Sequence, residues 1–281
     1  MSAIGWQTLE LEFSEIDEDE SAPMKLHLPE VTLVALDTVC HDLTMLAVKE
    51  CLDRVKFGAV HIHTNDFGPY QRAEIDSTHF PIAQFPTVDD AMIYLWYGVP
   101  EPIETTHFLM VQWDSGIVSP AQWSDEFLAY DYVGAPWGWH GDAYEVGNGG
   151  FSLRSRRIMQ HVNERREKFP LGHPEDAFLC RRYRRELEHA GFRWSPTDLA
   201  ARFSFERTGF SGLDRHFGYH GIFNWPRVFS LTALQERTLL ALATPYLNKP
   251  QHLSELLYAM KVQMAEVGVP GGDVEFLRQQ A

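Results

Sequence analysis

Alternating apolar and amphipathic stretches organise the first hundred positions of the chain. Residues 31–39 (VTLVALDTV) form a continuous apolar run, which is typical of a strand buried on both faces, as in a parallel sheet. Residues 43–55 (LTMLAVKECLDRV) place apolar side chains along one approximate helical stripe, and residues 57–66 (FGAVHIHTND) predict a second strand that ends in polar residues. Strand, helix and strand in this order predict a parallel βαβ unit.

A second helix and a third strand follow. Residues 87–99 (TVDDAMIYLWYGV) predict a helix, because Thr87 is a suitable N-cap and two aspartates occupy the first turn. Residues 106–118 (THFLMVQWDSGIV) are apolar up to Val111 and then abruptly polar, as at the end of a buried strand. The pattern predicts an α/β fold, with a mixed, mainly parallel sheet flanked by helices.

Polar residues stand at the predicted carboxyl ends of three strands. They are Asp37 and Thr38, residues 63–66 with Asp66, and Gln112, Trp113 and Asp114. Open α/β sheets bind ligands at this edge, so the arrangement predicts a nucleotide site. For the first two clusters, the start of an ordinary loop explains the pattern equally well.

The rest of the chain divides into an irregular stretch and a helical part. Residues 123–150 lack regular periodicity and are rich in Gly, Trp, Tyr and Pro, as in functional loops. We therefore predict an acidic lead-in at residues 1–30, one domain at 31–230 and a helical extension at 231–281. The extension either packs on the domain or forms a homo-oligomer contact.

Composition narrows the classes of partner. The 281 residues carry 24 Lys and Arg against 39 Asp and Glu, a net charge of −15, which disfavours nucleic acid because like charges repel. Aromatic residues make up 13% of the chain, and their flat apolar faces suit sugars or bases, although an aromatic core explains them too.

Cysteine usage and the termini indicate the compartment. The three cysteines form no CxxC pair, which argues against a disulfide framework or a structural zinc site. No signal peptide or apolar run of membrane-spanning length is evident in the sequence. We therefore expect a cytoplasmic protein without a transmembrane segment.

Three segments of the chain match a known pattern: QWDSGIVSPAQWSDEFLAYDYVGAPW, VGNGGFSLRSR and HPEDAFLC. Together they resemble an uncharacterised glycosyltransferase-like family (DUF5672) over about residues 31–225. The resemblance, and the wider GT-A fold to which it points, imply a GT-A-like fold, a nucleotide-sugar donor and a divalent metal ion, Mn²⁺ or Mg²⁺.

The resemblance also implies roles for a metal ligand and a glycine loop. Residues 112–114 correspond to the Asp-x-Asp of GT-A enzymes, so Asp114 would bind the metal, although Gln112 replaces the first acid. A turn cap before Gly116 is the structural alternative. Asn148, Gly149 and Gly150 would border the donor sugar and the acceptor, unless they form only a tight turn.

Further roles come from the two remaining motifs. Asp176 would be the general base, with Glu175 beside it, whereas two acids in a first helical turn also simply favour the helix dipole. His220 of the FGYH segment would complete the metal site; two nearby glycines predict that it lies in a loop, which weakens the competing candidate His216.

Trp137 and Trp139 are candidates for an acceptor-stacking platform. The expected function is transfer of a sugar, with inversion, from a UDP-sugar to a glycan, peptide, lipid or small-molecule acceptor. Two alternatives stay open: a non-catalytic nucleotide-sugar binding protein, suggested by Gln112, and a metal-dependent hydrolase, for which a denser His and Asp cluster is expected.

Overall fold

The computed structural model describes residues 25–170, 174–245 and 247, together with the isolated positions 254, 257, 258 and 261. Most of the predicted lead-in, His173 and most of the predicted helical extension after residue 247 lie outside the described residues. The strands are β1 (Leu26–Asp37), β2 (Val55–Thr64), β3 (Thr78–Pro81), β4 (His107–Val111), β5 (Ser115–Ile117), β6 (Tyr132–Gly134), β7 (Phe151–Ser155), β8 (Ser204–Phe205) and β9 (Gly218–His220). The α-helices are α1 (His41–Arg54), α2 (Gly68–Arg72), α3 (Val88–Tyr97), α4 (Arg156–Glu164), α5 (Glu175–Ala177), α6 (Arg184–His189), α7 (Thr197–Phe203), α8 (Trp225–Val228) and α9 (Leu231–Ala243).

The main sheet has six strands in the order β3-β2-β1-β4-β7-β6. The pairs β3–β2, β2–β1 and β1–β4 are parallel, while β7 runs antiparallel to both of its neighbours. The predicted mixed, mainly parallel sheet flanked by helices is therefore confirmed. Its parallel strands all end at the edge where the polar clusters were expected.

The period of two along the strands divides the core between the two faces of the sheet. Leu33, Leu109 and Leu153 belong to the buried cluster on one face, whereas Val34 and Phe108 belong to the cluster on the other. Successive side chains of a strand point to opposite faces. Both faces of β1 and β4 are covered, which explains their continuous apolar sequences.

Local signals predict the helix ends well where a cap is present. Thr87 caps α3 as expected: its Oγ1 accepts a hydrogen bond from the Asp90 amide (3.2 Å), and the Asp90 carboxylate accepts one from the Thr87 amide (3.1 Å). The helical segment that begins at Glu175 is interrupted. A π-helical turn at Phe178–Arg182 separates α5 from α6.

A second sheet of three short strands, in the order β5-β9-β8, lies beyond the end of β4. The loop predicted around His220 is wrong, because Gly218–His220 forms β9, which pairs antiparallel with β5. Helix α9 contributes Leu234 and Ala241 to the same buried cluster as Tyr219 and Trp225. Over the described ranges, none of the helices is long and apolar enough to cross a membrane.

Candidate active site

Pairing between β5 and β9 brings a carboxylate next to a histidine. Ser115 is the register partner of His220, so Asp114, one residue earlier, lies beside the imidazole, with 3.4 Å between Asp114 Oδ1 and His220 Nε2. On the other side, His220 Nδ1 is 3.3 Å from Glu206 Oε1. The result is an acid–histidine–acid row in which the imidazole is flanked by two carboxylates.

The two carboxylates favour a positive charge on His220. Burial by itself opposes charge on His220, but Asp114 and Glu206 outweigh burial and raise the pKa of His220 to about 10. Asp114 Oδ1 is buried without a hydrogen-bond partner. Adjacent ligands of a small octahedral ion lie about 3 Å apart, so Asp114 and His220 fit a divalent ion, which would displace the proton from Nε2.

His216 has a structural role. Its Nδ1 is 2.6 Å from the Ala201 carbonyl oxygen, and its Nε2 accepts a hydrogen bond from the Ser211 amide (3.1 Å).

Among the residues that the structure describes, no group of three or more His, Cys, Asp and Glu side chains is arranged to hold a metal ion.

The Asn148–Gly150 segment forms a tight turn before β7. Asn148 adopts a left-handed backbone (φ 72°), and its Oδ1 accepts hydrogen bonds from the amides of Gly150 (3.0 Å) and Phe151 (3.3 Å). Asparagine tolerates this conformation better than most residues because its short side chain bonds to the local backbone. The turn is therefore fixed from within.

Gly149 and Gly150 let this turn lie between the Asp114–His220 pair and the Glu175–Asp176 pair. A Cβ on Gly149 would be 2.1 Å from Glu175 Oε1, and one on Gly150 would be 2.0 Å from His220 Nε2. Neither position has room for a side chain. The turn thus contacts the metal-site candidates on one side and the Glu175–Asp176 pair on the other.

A buried arginine holds Glu175. Arg154 on β7 is fully buried, and its Nη2 donates to Glu175 Oε1 (2.7 Å) and to the Gly149 carbonyl (3.2 Å). Its Nε donates to Ser152 Oγ (3.0 Å). A buried carboxylate needs such a charged, hydrogen-bonded partner.

Asp176 has the environment of a base that works near neutral pH. Its Oδ2 accepts a hydrogen bond from the Gly149 amide (3.2 Å), and its Oδ1 accepts one from the Ala177 amide (2.8 Å). Burial and the neighbouring charge of Glu175 raise the pKa of Asp176 to about 7. Perturbed carboxyl groups of this kind are common at functional sites.

A cleft of about 560 Å³ opens at the carboxyl ends of β1 and β4. Asp37, Thr38, Gln112 and Trp113 line it together with side chains from α3 and the segment before it. Asp37 also has a structural task, since its Oδ1 accepts hydrogen bonds from the amides of Val39 (2.9 Å) and Cys40 (2.8 Å) at the start of α1. Four of the residues that the sequence places at this edge of the sheet therefore line one cleft.

Asp66 does not line this cleft. Its Oδ1 accepts a hydrogen bond from the Gly68 amide (2.8 Å) and thereby stabilises the turn before α2. Asp66 lies two residues after the end of β2, near the predicted end of this strand. Its side chain bonds to the neighbouring backbone.

The two tryptophans differ in exposure. Trp137 is 6% exposed and Trp139 is 52% exposed, with their ring centroids 6.3 Å apart. The Trp137 ring packs on Gly147, directly before the Asn148–Gly150 turn. The Glu145 carboxylate accepts hydrogen bonds from two amides of the intervening loop, those of Gly138 and Gly141.

Sequence reasoning missed two residues of the site. Glu206 follows β8, a strand of two residues, so no periodic signal marks it. Arg154 lies inside the quoted VGNGGFSLRSR segment, yet its burial depends on the pairing of β7 with β4 and β6. An arginine inside a short strand, directly after Leu153, is the one available signal.

A model of the family described as "Protein of unknown function (DUF5672)" matches residues 95–220. The match covers less than half of the chain, and it includes the residues from Gln112 to His220 that converge here. No curated protein sequence matches the chain.

Several solved structures of glycosyltransferases are similar to this one. They include the glycosyltransferase GlyE of Streptococcus pneumoniae TIGR4 (13% identity, 58% of this chain and 44% of that chain, TM-score 0.35) and a glycosyltransferase involved in glycosylation of the major capsid of PBCV-1 (12%, 74% and 98%, 0.44). A third is the galactosyltransferase LgtC in complex with donor and acceptor sugar analogues (14%, 80% and 100%, 0.45). The chain spans 44% of the GlyE chain in this structure and 64% of it in the apo form. Similarities this low do not bear on donor, metal or mechanism.

Proposed function

We propose that this protein is a metal-assisted, inverting glycosyltransferase that moves a sugar from a nucleotide-diphosphate sugar, with UDP as the first candidate, to an acceptor hydroxyl. One observation carries the proposal. The Asn148–Gly150 turn has the Asp114–His220 pair on one side and Asp176 on the other, so groups suited to a leaving diphosphate and to a nucleophile share one site.

The donor side of the proposal uses the cleft at the ends of β1 and β4. Asp37, Thr38, Gln112 and Trp113 line this cleft and would contact the nucleoside, while Asn148, Gly149 and Gly150 would border the sugar. Asp114 and His220 would hold Mn²⁺ or Mg²⁺. Such an ion stabilises the negative charge that develops on the departing diphosphate.

Asp176 is the proposed general base. The acceptor oxygen forms a bond to the anomeric carbon as the bond from that carbon to the diphosphate oxygen breaks. The hydroxyl proton passes to the Asp176 carboxylate, and the nucleoside diphosphate leaves. A carboxyl group whose pKa is about 7 is a stronger base than an ordinary aspartate and is still largely ionised slightly above neutral pH.

Trp139 and Trp137 mark the proposed acceptor side. Trp139 exposes half of its surface, and Trp137 contacts the glycine next to the catalytic turn. An indole ring stacks on the C–H face of a sugar or on other flat apolar groups. Glycan, peptide, lipid and small-molecule acceptors all remain candidates.

A non-catalytic nucleotide-sugar binding protein is the alternative, and Gln112 favours it. An amide at this position lacks the charge of the first acid in the Asp-x-Asp pattern. Its Oε1 still lies near Gly150 and the His220 ring, where it could accept a hydrogen bond from a donor hydroxyl. Both the transferase and the binding protein would bind the donor, but only the transferase would turn it over.

The test is release of the nucleotide, which is UDP or GDP from UDP- and GDP-sugars and CMP from CMP-sugars, in the presence of Mn²⁺ and a mixed pool of acceptors. Transferase function predicts acceptor-dependent release that Asp176→Asn reduces by 100-fold or more, while donor binding stays within threefold of wild type. Donor binding without release in wild type would favour the binding protein. Equal release by wild type and Asp176→Asn would refute the assignment of the base.

A further inference from the structure

Arg154 connects two parts of the site that are distant in sequence. It is one of the largest fully buried side chains of the described residues. Its guanidinium donates to Glu175 on α5 (2.7 Å) and to the backbone carbonyl of Gly149 (3.2 Å). One planar group thus holds a loop and a carboxylate in fixed relation.

The Gly149 residue is held from two sides. Its carbonyl accepts a hydrogen bond from Arg154 (3.2 Å), and its amide donates one to Asp176 Oδ2 (3.2 Å). Rotation of the turn around Gly149 would therefore break contacts with both groups. Gly149 thus links Arg154 to Asp176 Oδ2, while Asp176 Oδ1 accepts a hydrogen bond from the Ala177 amide (2.8 Å).

We propose that Arg154 is a positioning residue for sugar transfer, which fixes Gly149 and Glu175 so that Asp176 faces the acceptor hydroxyl. This inference rests on the proposed function through the role of Asp176 as base. Arg154 itself does not touch the reacting atoms, since its guanidinium is buried behind the turn.

Charge supports the same role. Within the described residues, the titratable groups that act on Asp176 or are acted on by it come from several elements: Glu175 on α5, Arg154 on β7, Glu206 after β8, Tyr132 on β6 and Cys180 after α5. Of these, Arg154 alone carries positive charge. Burial and Glu175 raise the pKa of Asp176, and Arg154 opposes them. Removing this charge would make the Glu175–Asp176 pair retain its last proton to a higher pH.

Lysine separates geometry from charge at this position. Arginine presents a rigid fork of donors, whereas lysine is a point charge on a flexible stem. Arg154→Lys would retain the charge beside Glu175 but would lose one of the two directed contacts. Arg154→Met would remove both while keeping a long side chain.

The chain offers a matched control. Arg237 is buried and its Nη2 is 2.7 Å from Glu50 Oε1, the same length as the Arg154–Glu175 contact. This ion pair joins α9 to α1 and does not contact the turn. Arg237→Met therefore reproduces the loss of a buried arginine without affecting Asp176.

The experiment measures kcat and donor KM against pH for wild type, Arg154→Lys, Arg154→Met and Arg237→Met. In parallel, the Asp176 carboxyl is titrated by ¹³C NMR, with Asp176→Asn providing the assignment. The titration reports on the contact without requiring transfer activity. It thus separates failure of this inference from failure of the proposed function.

We expect Arg154→Met to lower kcat by about 100-fold, to leave the donor KM within threefold, and to move the acidic limb of the profile and the Asp176 titration above pH 8. Arg154→Lys should keep the titration near pH 7 and lose about tenfold in kcat. Arg237→Met should retain the wild-type values of both quantities.

A kcat and a titration for Arg154→Met that match those of Arg237→Met would overturn the inference. If wild type transfers no sugar, the proposed function fails, and an unchanged Asp176 titration in Arg154→Met would overturn the contact role as well. If Arg154→Met does not fold, Glu175→Gln takes its place. It keeps an acceptor for Arg154 and should lower the Asp176 titration midpoint, and an unchanged midpoint would count against the arrangement.

Discussion

Gly150→Ala adds one methyl group at the point where the Asn148–Gly150 turn, β9 and the end of β4 meet. The new Cβ would lie 2.0 Å from His220 Nε2 and 2.7 Å from Gln112 Oε1. Non-bonded heavy atoms prefer separations of about 3.5 Å or more, so the ring or the turn must move by about 1.5 Å. The imidazole is flanked by Asp114 and Glu206, which leaves it little freedom to give way.

Overpacking of this kind costs about 1–3 kcal/mol. For a domain of this size, each kcal/mol lowers Tm by about 2–4 °C, so we expect a fall of about 4–8 °C for a cost near 2 kcal/mol. Displacement of His220 should also abolish the part of donor binding that depends on Mn²⁺. Thermal unfolding with and without Mn²⁺ and UDP-sugar measures both effects.

Gly116→Ala is the control for this prediction. Gly116 lies in β5 of the same small sheet, but a Cβ there would be 3.4 Å from the nearest atom, Tyr219 Cε1. This is an ordinary contact, so Gly116→Ala should keep wild-type donor binding and lose little stability. If Gly150→Ala behaves like Gly116→Ala in both measurements, the close approach of the turn to His220 is wrong.

Three further predictions concern other parts of the molecule. Because the pKa of Asp176 is raised to about 7, kcat/KM should fall tenfold per pH unit below that value. The protonated carboxyl also stabilises the fold. This stabilisation is complete below the ordinary aspartate pKa of 3.8 and is lost as pH rises through about 7. Asp176→Asn should therefore gain stability relative to wild type between pH 5 and pH 8 in thermal unfolding, and a constant difference would contradict the raised pKa. Trp139→Ala should raise the acceptor KM about fivefold, corresponding to about 1 kcal/mol of stacking, with Tm unchanged, whereas Trp137→Ala should cost about 3–5 kcal/mol of stability; equal Tm losses would refute this division. Thr87→Ala should remove the cap of α3 and cost about 1 kcal/mol in chemical denaturation, and no loss would mean that the cap contributes nothing.

The parts of the fold that could be predicted are those with a long periodic signal. β1, α1, β2 and α3 each span ten or more residues, so the continuous apolar run of β1 and the apolar helical stripe of α1 are evident in the sequence. β5 and β9 have three residues each, which is too short to show a period. The glycines at positions 218 and 221 therefore predict a loop at His220, where the structure has a strand.

The residues of the candidate site also divide into those that could be predicted from the sequence and those that could not. Asp114 could be identified because it lies three residues after the end of the buried strand β4 and matches the second acid of the Asp-x-Asp pattern. Gly149 and Gly150 could be identified because they lie in the VGNGGFSLRSR segment that carries the resemblance. Glu206 could not, since it reaches His220 only through the pairing of β8 with β9. Arg154 was visible in its motif, but its partner Glu175 lies 21 positions later, and contacts of that kind depend on tertiary structure.

The most direct test of the account is donor binding measured by thermal shift, with UDP-, GDP- and CMP-sugars, with and without Mn²⁺, on wild type and Asp114→Ala. A donor present at 100 times its Kd stabilises the fold by about 2.7 kcal/mol, which corresponds to about 5–10 °C in Tm. We expect a shift of this size with one nucleotide class, which requires Mn²⁺ and is lost in Asp114→Ala. No shift with any donor at millimolar concentration, or an equal shift in Asp114→Ala, would contradict it.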